Sequence, residues 1–150
     1  MAHTVYLGLG SNLGDKRANI QRAIDRIGEQ VGTVERVSSF YETEPWGFQS
    51  EHSFVNAVIA VTTTSTPQEV LALTQQIECQ LGKRKAHATR RSKKSSTYKD
   101  RPIDIDILLY DDITVDEPNL KIPHPLMHQR DFVMIPLREI QQYNRKENRE

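Results

Sequence analysis

In the stretch DRPIDIDILLY, residues 100–110, Asp104 and Asp106 alternate with Ile103, Ile105 and Ile107. Alternation of this kind is the pattern of a half-buried strand, whose side chains repeat every second residue. The two carboxylates then point the same way, about 6.6 Å apart along the chain. At that spacing and an effective dielectric near 20, two negative charges repel by roughly 2 to 3 kcal/mol. Two readings are open. Either the aspartates are solvated on an exposed sheet face, or a cation sits against them. Mg2+ in particular is usually held by one or two carboxylates together with substrate phosphates and retained waters.

The residues just upstream favour the cation. The chain has 150 residues and a formal net charge of zero, yet its charge is unevenly placed. From Lys83 to Arg101 nine basic residues stand against the single acid Asp100, a net of +8 that the rest of the chain must offset. A basic segment running into paired carboxylates points to an anionic ligand bridged by metal.

Other candidates are less specific on their own. GLGSNLGD has glycines at 8, 10 and 14, which do not fit the dinucleotide spacing, and no Walker lysine follows, so alone it reads as a strand-to-helix turn. In IPHPLMHQRDF, Pro123 and Pro125 flank His124 and restrict where its imidazole points; ligand and ordinary turn histidine are equally open. Trp46, Phe54 and Phe132 read more simply as core aromatics than as binding platforms. Cys79 is the sole cysteine and falls in a helical pattern, which excludes internal disulfides and thiolate metal cages and predicts a buried, inert thiol.

These residues must be positioned by one globular domain, for which 150 residues is a common size. No run of about 18 apolar residues occurs, and the first residues lack a signal-peptide pattern, so a cytoplasmic protein without membrane spans is expected. HTVYLGLGS reads as a strand and SNLGD as a turn, and Ile20, Ile24, Ile27 and Val31 recur at helical spacing. TVERVSSFYET and FVNAVIAVTTT are strand-like around a loop containing Pro45 and Gly47. TPQEVLALTQQIECQLG has Thr66 as N-cap, Pro67 at the first helical position, Glu69 for a capping box and Gly82 beyond the end. The Asp104 strand follows, then a short strand with a proline-bounded loop in ITVDEPNLKIPHP, a helix around HQRDFVMIPLREI, and a polar tail from about 141 that should fray. The order β, α, β, β, α, β predicts an α+β fold, the ferredoxin-like split β-α-β sandwich with a mostly antiparallel sheet packed by helices.

Taken together, GLGSNLGD, SSFYETEPWG, FVNAV, QQIECQLG, RPIDIDILLYDD and IPHPLMHQRDFV, in that order and over nearly the whole chain, resemble the 6-hydroxymethyl-7,8-dihydropterin pyrophosphokinases of folate biosynthesis. The resemblance implies a ferredoxin-like α/β fold, a monomer, and transfer of pyrophosphate from ATP to the hydroxymethyl group of the pterin with release of AMP. It implies that Asp104 and Asp106 bind two Mg2+ ions and that Thr43, Pro45 and Asn56 line the pterin pocket. Phe54 and Phe132 would then sandwich the ring, against the core assignment above. Gln75, Glu78, Tyr98, Arg101, Lys121, His124, Pro125 and Arg130 would contact ATP, with Arg101 and Arg84 assisting catalysis.

Where family members commonly carry RWGPRTLD after a short arginine-rich loop, this chain has a longer loop and reads TYKDRPID, with Tyr98 at the tryptophan position. Lys83 and Lys85 fall where arginines usually stand, leaving Arg84, Arg90 and Arg91 as alternatives for phosphate. The substitution matters, because lysine lacks the bidentate fork of arginine. Residues 83–99 have almost no apolar side chains and repel one another, so a mobile basic loop is expected. Two rivals remain at this level: a metal-dependent nuclease or RNA-binding enzyme that uses the basic segment, and a non-catalytic adaptor. Binding of ATP with Mg2+, set against steeply salt-dependent RNA binding, separates the first, and the second leaves Thr43, Asn56, Phe54 and Phe132 without shared purpose; small-molecule substrates and no nucleic-acid partner are expected.

Overall fold

The computed structural model describes residues 2–43, 53–82 and 102–149, with backbone only at 43 and from 142 onward. Strand β1 (His3–Ser11) leads into helix α1 (Lys16–Gln30), then β2 (Thr33–Val37), β3 (Tyr41–Thr43), β4 (Phe54–Thr63) and helix α2 (Pro67–Leu81). Strand β5 (Asp104–Tyr110), a hairpin of β6 (Val115–Glu117) and β7 (Leu120–Ile122), and helix α3 (Asp131–Arg149) complete the order. The main sheet runs β2-β4-β1-β5, antiparallel throughout, with β3 on the same edge of β4 as β2. The split β-α-β pattern is met: β4 lies between β1 and β2, which α1 connects.

Two apolar layers hold the sheet. Val5, Leu7, Leu9, Ile59, Val61, Ile103, Ile105 and Ile107 point to one face and pack with Ile20, Ile24 and Ile27 of α1 and Val70 and Ile77 of α2. Val58, Ala60 and Leu108 point to the other, under Val133, Leu137 and Ile140 of α3. Because β4 and β1 are covered on both faces, they read as nearly continuous apolar runs.

Local chemistry explains where the elements end. Asp15 caps α1 by accepting from Ala18 N–H at 3.2 Å. Thr66 and Glu69 form the capping box at the start of α2, at 3.1 and 2.8 Å. The stretch expected as one strand, TVERVSSFYET, is two, because buried Ser38 interrupts it. Its Oγ accepts from Val58 N–H at 3.0 Å and donates to Ser39 O at 2.7 Å, so the side chain takes a ladder position. The loop expected after the Asp104 strand contains a hairpin, closed at Pro118 and Asn119. Cys79 is exposed, not buried. Helix α2 turns Val70, Thr74, Ile77 and Glu78 inward, and residue 79 lies one step around from that stripe. Helix α3 is longer than its apolar spacing predicts and carries its backbone through the polar tail to Arg149.

Strand β3 is only three residues long and is fastened to α3. Glu139 accepts from Ser39 N–H at 3.1 Å, Ser39 Oγ at 2.9 Å and Tyr41 Oη at 2.7 Å. Partial burial alone would raise the Glu139 carboxyl, but the hydrogen bonds from Tyr41 and Ser39 outweigh it and hold the group below its ordinary value. A carboxyl lowered on folding adds stability that is complete above its unfolded value near pH 4 and is lost as pH falls through the folded value. Glu139→Gln should therefore cost about 2 kcal/mol near neutrality, read as a Tm drop of several degrees, and its gap to wild type should shrink on acidification below about pH 4. Thermal unfolding of both proteins across that range checks this; a gap that stays constant would assign the loss to shape and not to charge.

Candidate functional site

Register across the sheet assembles the site. Asp104 pairs with Gly10 and Asp106 with Gly8 on β1; on its other side β1 pairs Gly10 with Asn56 and Gly8 with Val58. Tyr41 and Thr43 of β3 lie opposite Asn56 and Phe54. Paired residues share a face, and Val58 and Leu108 belong to the layer under α3, so Phe54, Asn56, Gly10, Gly8, Asp106 and Asp104 occupy that same face. The alternation predicted for the two aspartates is present: both are half-buried while Ile105 and Ile107 are buried in the opposite layer.

HTVYLGLGS forms β1 as its pattern predicted, so Gly8 and Gly10 lie inside the strand, and Gly14, at φ +68°, is in the turn expected of SNLGD. A Cβ on Gly10 would sit 2.9 Å from Asn56 Oδ1 and 3.9 Å from Phe54 Cδ1, so the missing side chain is what admits both groups over the strand. At Gly8 the place of the missing side chain is taken by Leu108, 3.5 Å from where a Cβ would sit, so the two glycines let neighbouring side chains close over β1 between Asn56 and Phe54 on one side and the two carboxylates on the other. The sequence signal was available in two glycines of the same parity within a strand pattern.

Three further contacts set the aspartate strand. Edge strand β5 presents Ile105 N–H to buried Glu78, whose Oε2 accepts it at 2.8 Å. This residue of α2 therefore fixes the backbone between Asp104 and Asp106, while Gln75, one turn earlier, is exposed. Gly82 meets Pro102 so closely that a Cβ would lie 2.6 Å from the ring, bringing the two chain ends flanking the basic segment together beside β5. A bulge in the β1–β5 ladder falls at Leu108, whose carbonyl accepts from His124 N–H at 3.1 Å.

His124 is thereby tied to the aspartate strand. Its Nδ1 accepts from Leu126 N–H at 3.2 Å, so the neutral ring carries its hydrogen on Nε2. Burial first, and then Arg130, lower its pKa, while Asp104 acts in the opposite sense, so Arg130 and Asp104 each lie within electrostatic reach of His124. A neutral imidazole with an Nε2 donor can serve an anion without being an acid near pH 7. The Arg130 guanidinium lies 5.6 Å from the centroid of the Phe132 ring, which is half-buried against the layer under α3.

Lys121 and Pro125 are exposed, and Lys121 binds Asp116 across the β6–β7 hairpin at 2.6 Å. Pro45, Arg84, Tyr98 and Arg101, the alternatives Lys83, Lys85, Arg90 and Arg91, and the expected mobile loop all lie outside the described residues. Among the described residues no three or more His, Cys, Asp and Glu side chains gather into a metal cage, and no helix is long and apolar enough to cross a membrane.

Comparison with known proteins is consistent along the chain. The family model described as 7,8-dihydro-6-hydroxymethylpterin-pyrophosphokinase matches residues 6–142. A protein of Porphyromonas gingivalis named 2-amino-4-hydroxy-6-hydroxymethyldihydropteridine pyrophosphokinase is 48% identical over 137 residues, covering 91% of this chain and 89% of that one. Proteins of the same name from Aquifex aeolicus and Bacillus subtilis are 40% and 38% identical, covering 92% and 98% of this chain and 80% and 83% of their own. The wild-type HPPK-DHPS crystal structure from Plasmodium falciparum with SDX-DHP superposes with a TM-score of 0.67 at 16% identity, a likeness of fold; it covers 93% of this chain, which spans 41% of that longer one. The register, the fold and these relatives agree that this chain belongs to the 7,8-dihydro-6-hydroxymethylpterin-pyrophosphokinase family.

Proposed function

We propose that the protein transfers pyrophosphate from ATP to the hydroxymethyl oxygen of 6-hydroxymethyl-7,8-dihydropterin, releasing AMP, as a step of folate biosynthesis. The observation that carries this is the shared face on which Asp104 and Asp106 lie across Gly10 and Gly8 of β1 from Asn56 and Phe54. Asn56 supplies both a donor and an acceptor for the edge of a pterin. Phe54 offers one stacking face and Phe132 the other, with Thr43 and Pro45 as further pterin contacts. His124, through Nε2–H, and Arg130 serve the phosphates, with Gln75, Tyr98, Lys121, Pro125 and the arginines at 84 and 101 as further nucleotide contacts.

The hard carboxylate oxygens of Asp104 and Asp106 suit two Mg2+ ions whose remaining ligands are water and phosphate. Mg2+ held there would neutralise charge on the transferring group and its leaving AMP. The chain's own part is placement: β5 is fixed by Glu78, the pterin by Asn56 and the aromatics, and alignment of hydroxyl with phosphorus does most of the remaining work. Glu78 thus acts on the site through the Ile105 backbone as well as through any nucleotide contact. The family gives no support to a nuclease or RNA-binding role. We take the enzyme to be a cytoplasmic monomer.

A coupled assay for AMP with ATP, Mg2+ and 6-hydroxymethyl-7,8-dihydropterin tests the proposal. AMP should appear one for one with pyrophosphorylated pterin and only when all three are present. AMP formed equally without pterin would overturn it.

A further inference from the structure

Helix α1 opens on Asp15, whose carboxylate caps it, and its first two residues are the cations Lys16 and Arg17, with no acid in the first turn. Both cations reach elsewhere. The Arg17 guanidinium lies 5.8 Å from the ring of Phe40, just before β3. Lys16 Nζ donates to Ser53 O at 3.3 Å and Ser53 Oγ at 3.1 Å, and lies 3.9 Å from Glu42 Oε2; Ser53 Oγ donates to that same oxygen at 2.7 Å. The Lys16 side chain is only 25% exposed. The polar contacts of Lys16 thus lie outside its own helix, on Ser53 and Glu42.

The contact falls at one place in the sheet. Glu42 belongs to β3 and Ser53 immediately precedes β4, so Lys16 clasps the two strands at the end where Thr43 pairs with Phe54. An edge strand of three residues holds poorly by its ladder alone. Tyr41 is fastened to α3 by Glu139, and Glu42, on the opposite face by alternation, is fastened to α1 by Lys16. The strand is thus pinned from both layers, one residue apart. The Ser53 carbonyl, on the backbone entering Phe54, is held directly by Lys16.

We infer that Lys16, through Ser53 and Glu42, is a positioning residue that sets Phe54 and the Tyr41–Thr43 strand for the flat heterocycle, and so governs affinity for the pterin and not for ATP. This rests on the pterin-binding reading above. Lys16→Met removes the charge and keeps the length, and Ser53→Ala removes the bridging hydroxyl alone.

Steady-state kinetics should give Lys16→Met a KM for 6-hydroxymethyl-7,8-dihydropterin about tenfold higher, with KM for ATP and kcat within about twofold of wild type. Ser53→Ala should shift the same parameter by less, and Lys16→Arg should restore most of the loss. A purely structural role would lower Tm without splitting the two KM values. Wild-type turnover with an unchanged pterin KM in Lys16→Met, or an equal rise in both KM values, would overturn the inference alone. A wild type that does not turn over the pterin would overturn the functional reading and this inference with it.

Discussion

Asp104→Asn and Asp106→Asn should each abolish turnover while leaving the fold intact. The two carboxylates stand on one face of β5, paired with Gly10 and Gly8 of β1. Their apolar neighbours Ile105 and Ile107 serve the opposite layer, so the substitution touches no core contact of those residues. An amide keeps the shape but binds Mg2+ far less well, and metal-borne charge stabilisation is worth several kcal/mol in the transition state. At 1.36 kcal/mol per tenfold, kcat should fall roughly a thousandfold or more. Circular dichroism and a cooperative thermal transition would establish that the variants fold. Near-normal turnover of Asp106→Asn at ordinary Mg2+ would remove the aspartates from the metal site.

Phe54→Ala and Phe132→Ala should each weaken pterin binding by about 1 to 3 kcal/mol, taking base-on-aromatic stacking as the guide, and leave ATP affinity nearly unchanged. The two positions differ in what else they do. Phe54 enters β4 beside Gly10, whereas Phe132 packs against the layer under α3 and carries Arg130 over its ring at 5.6 Å. Phe132→Ala should therefore also lower Tm through lost burial. Phe132→Leu separates the effects, because it keeps most of the apolar volume and removes the stacking surface. Calorimetry with each ligand decides the matter: equal losses for pterin and ATP would return both residues to the core.

Much of this was legible before any coordinates, wherever a signal was local. The capping box of Thr66 and Glu69, the Ile20, Ile24 and Ile27 stripe, and the alternation around Asp104 and Asp106 each follow from neighbours a few residues apart. Their physics is short-ranged, set by dihedral preference, end groups of a helix and the period of a strand. The order of elements then limited the topology to a split β-α-β sheet. Cys79 failed because residues one position apart on a helix differ by about 100° in direction, and only the packing of α2 fixed which stripe faced inward.

What tertiary structure alone decided depends on residues far apart in the chain. Nothing near Gly10 says that Asn56 and Phe54 will lie over it, and nothing near Glu78 says that its carboxylate will hold the backbone between two aspartates. Ser38 ended a strand through Val58, and Glu139 gripped a strand about a hundred residues earlier in the chain. Lys16 found its partners in Ser53 and Glu42, outside its own helix. Side-chain chemistry and local period are written in the sequence, but the partner across a sheet or between layers is chosen by register and packing, which depend on the whole chain at once.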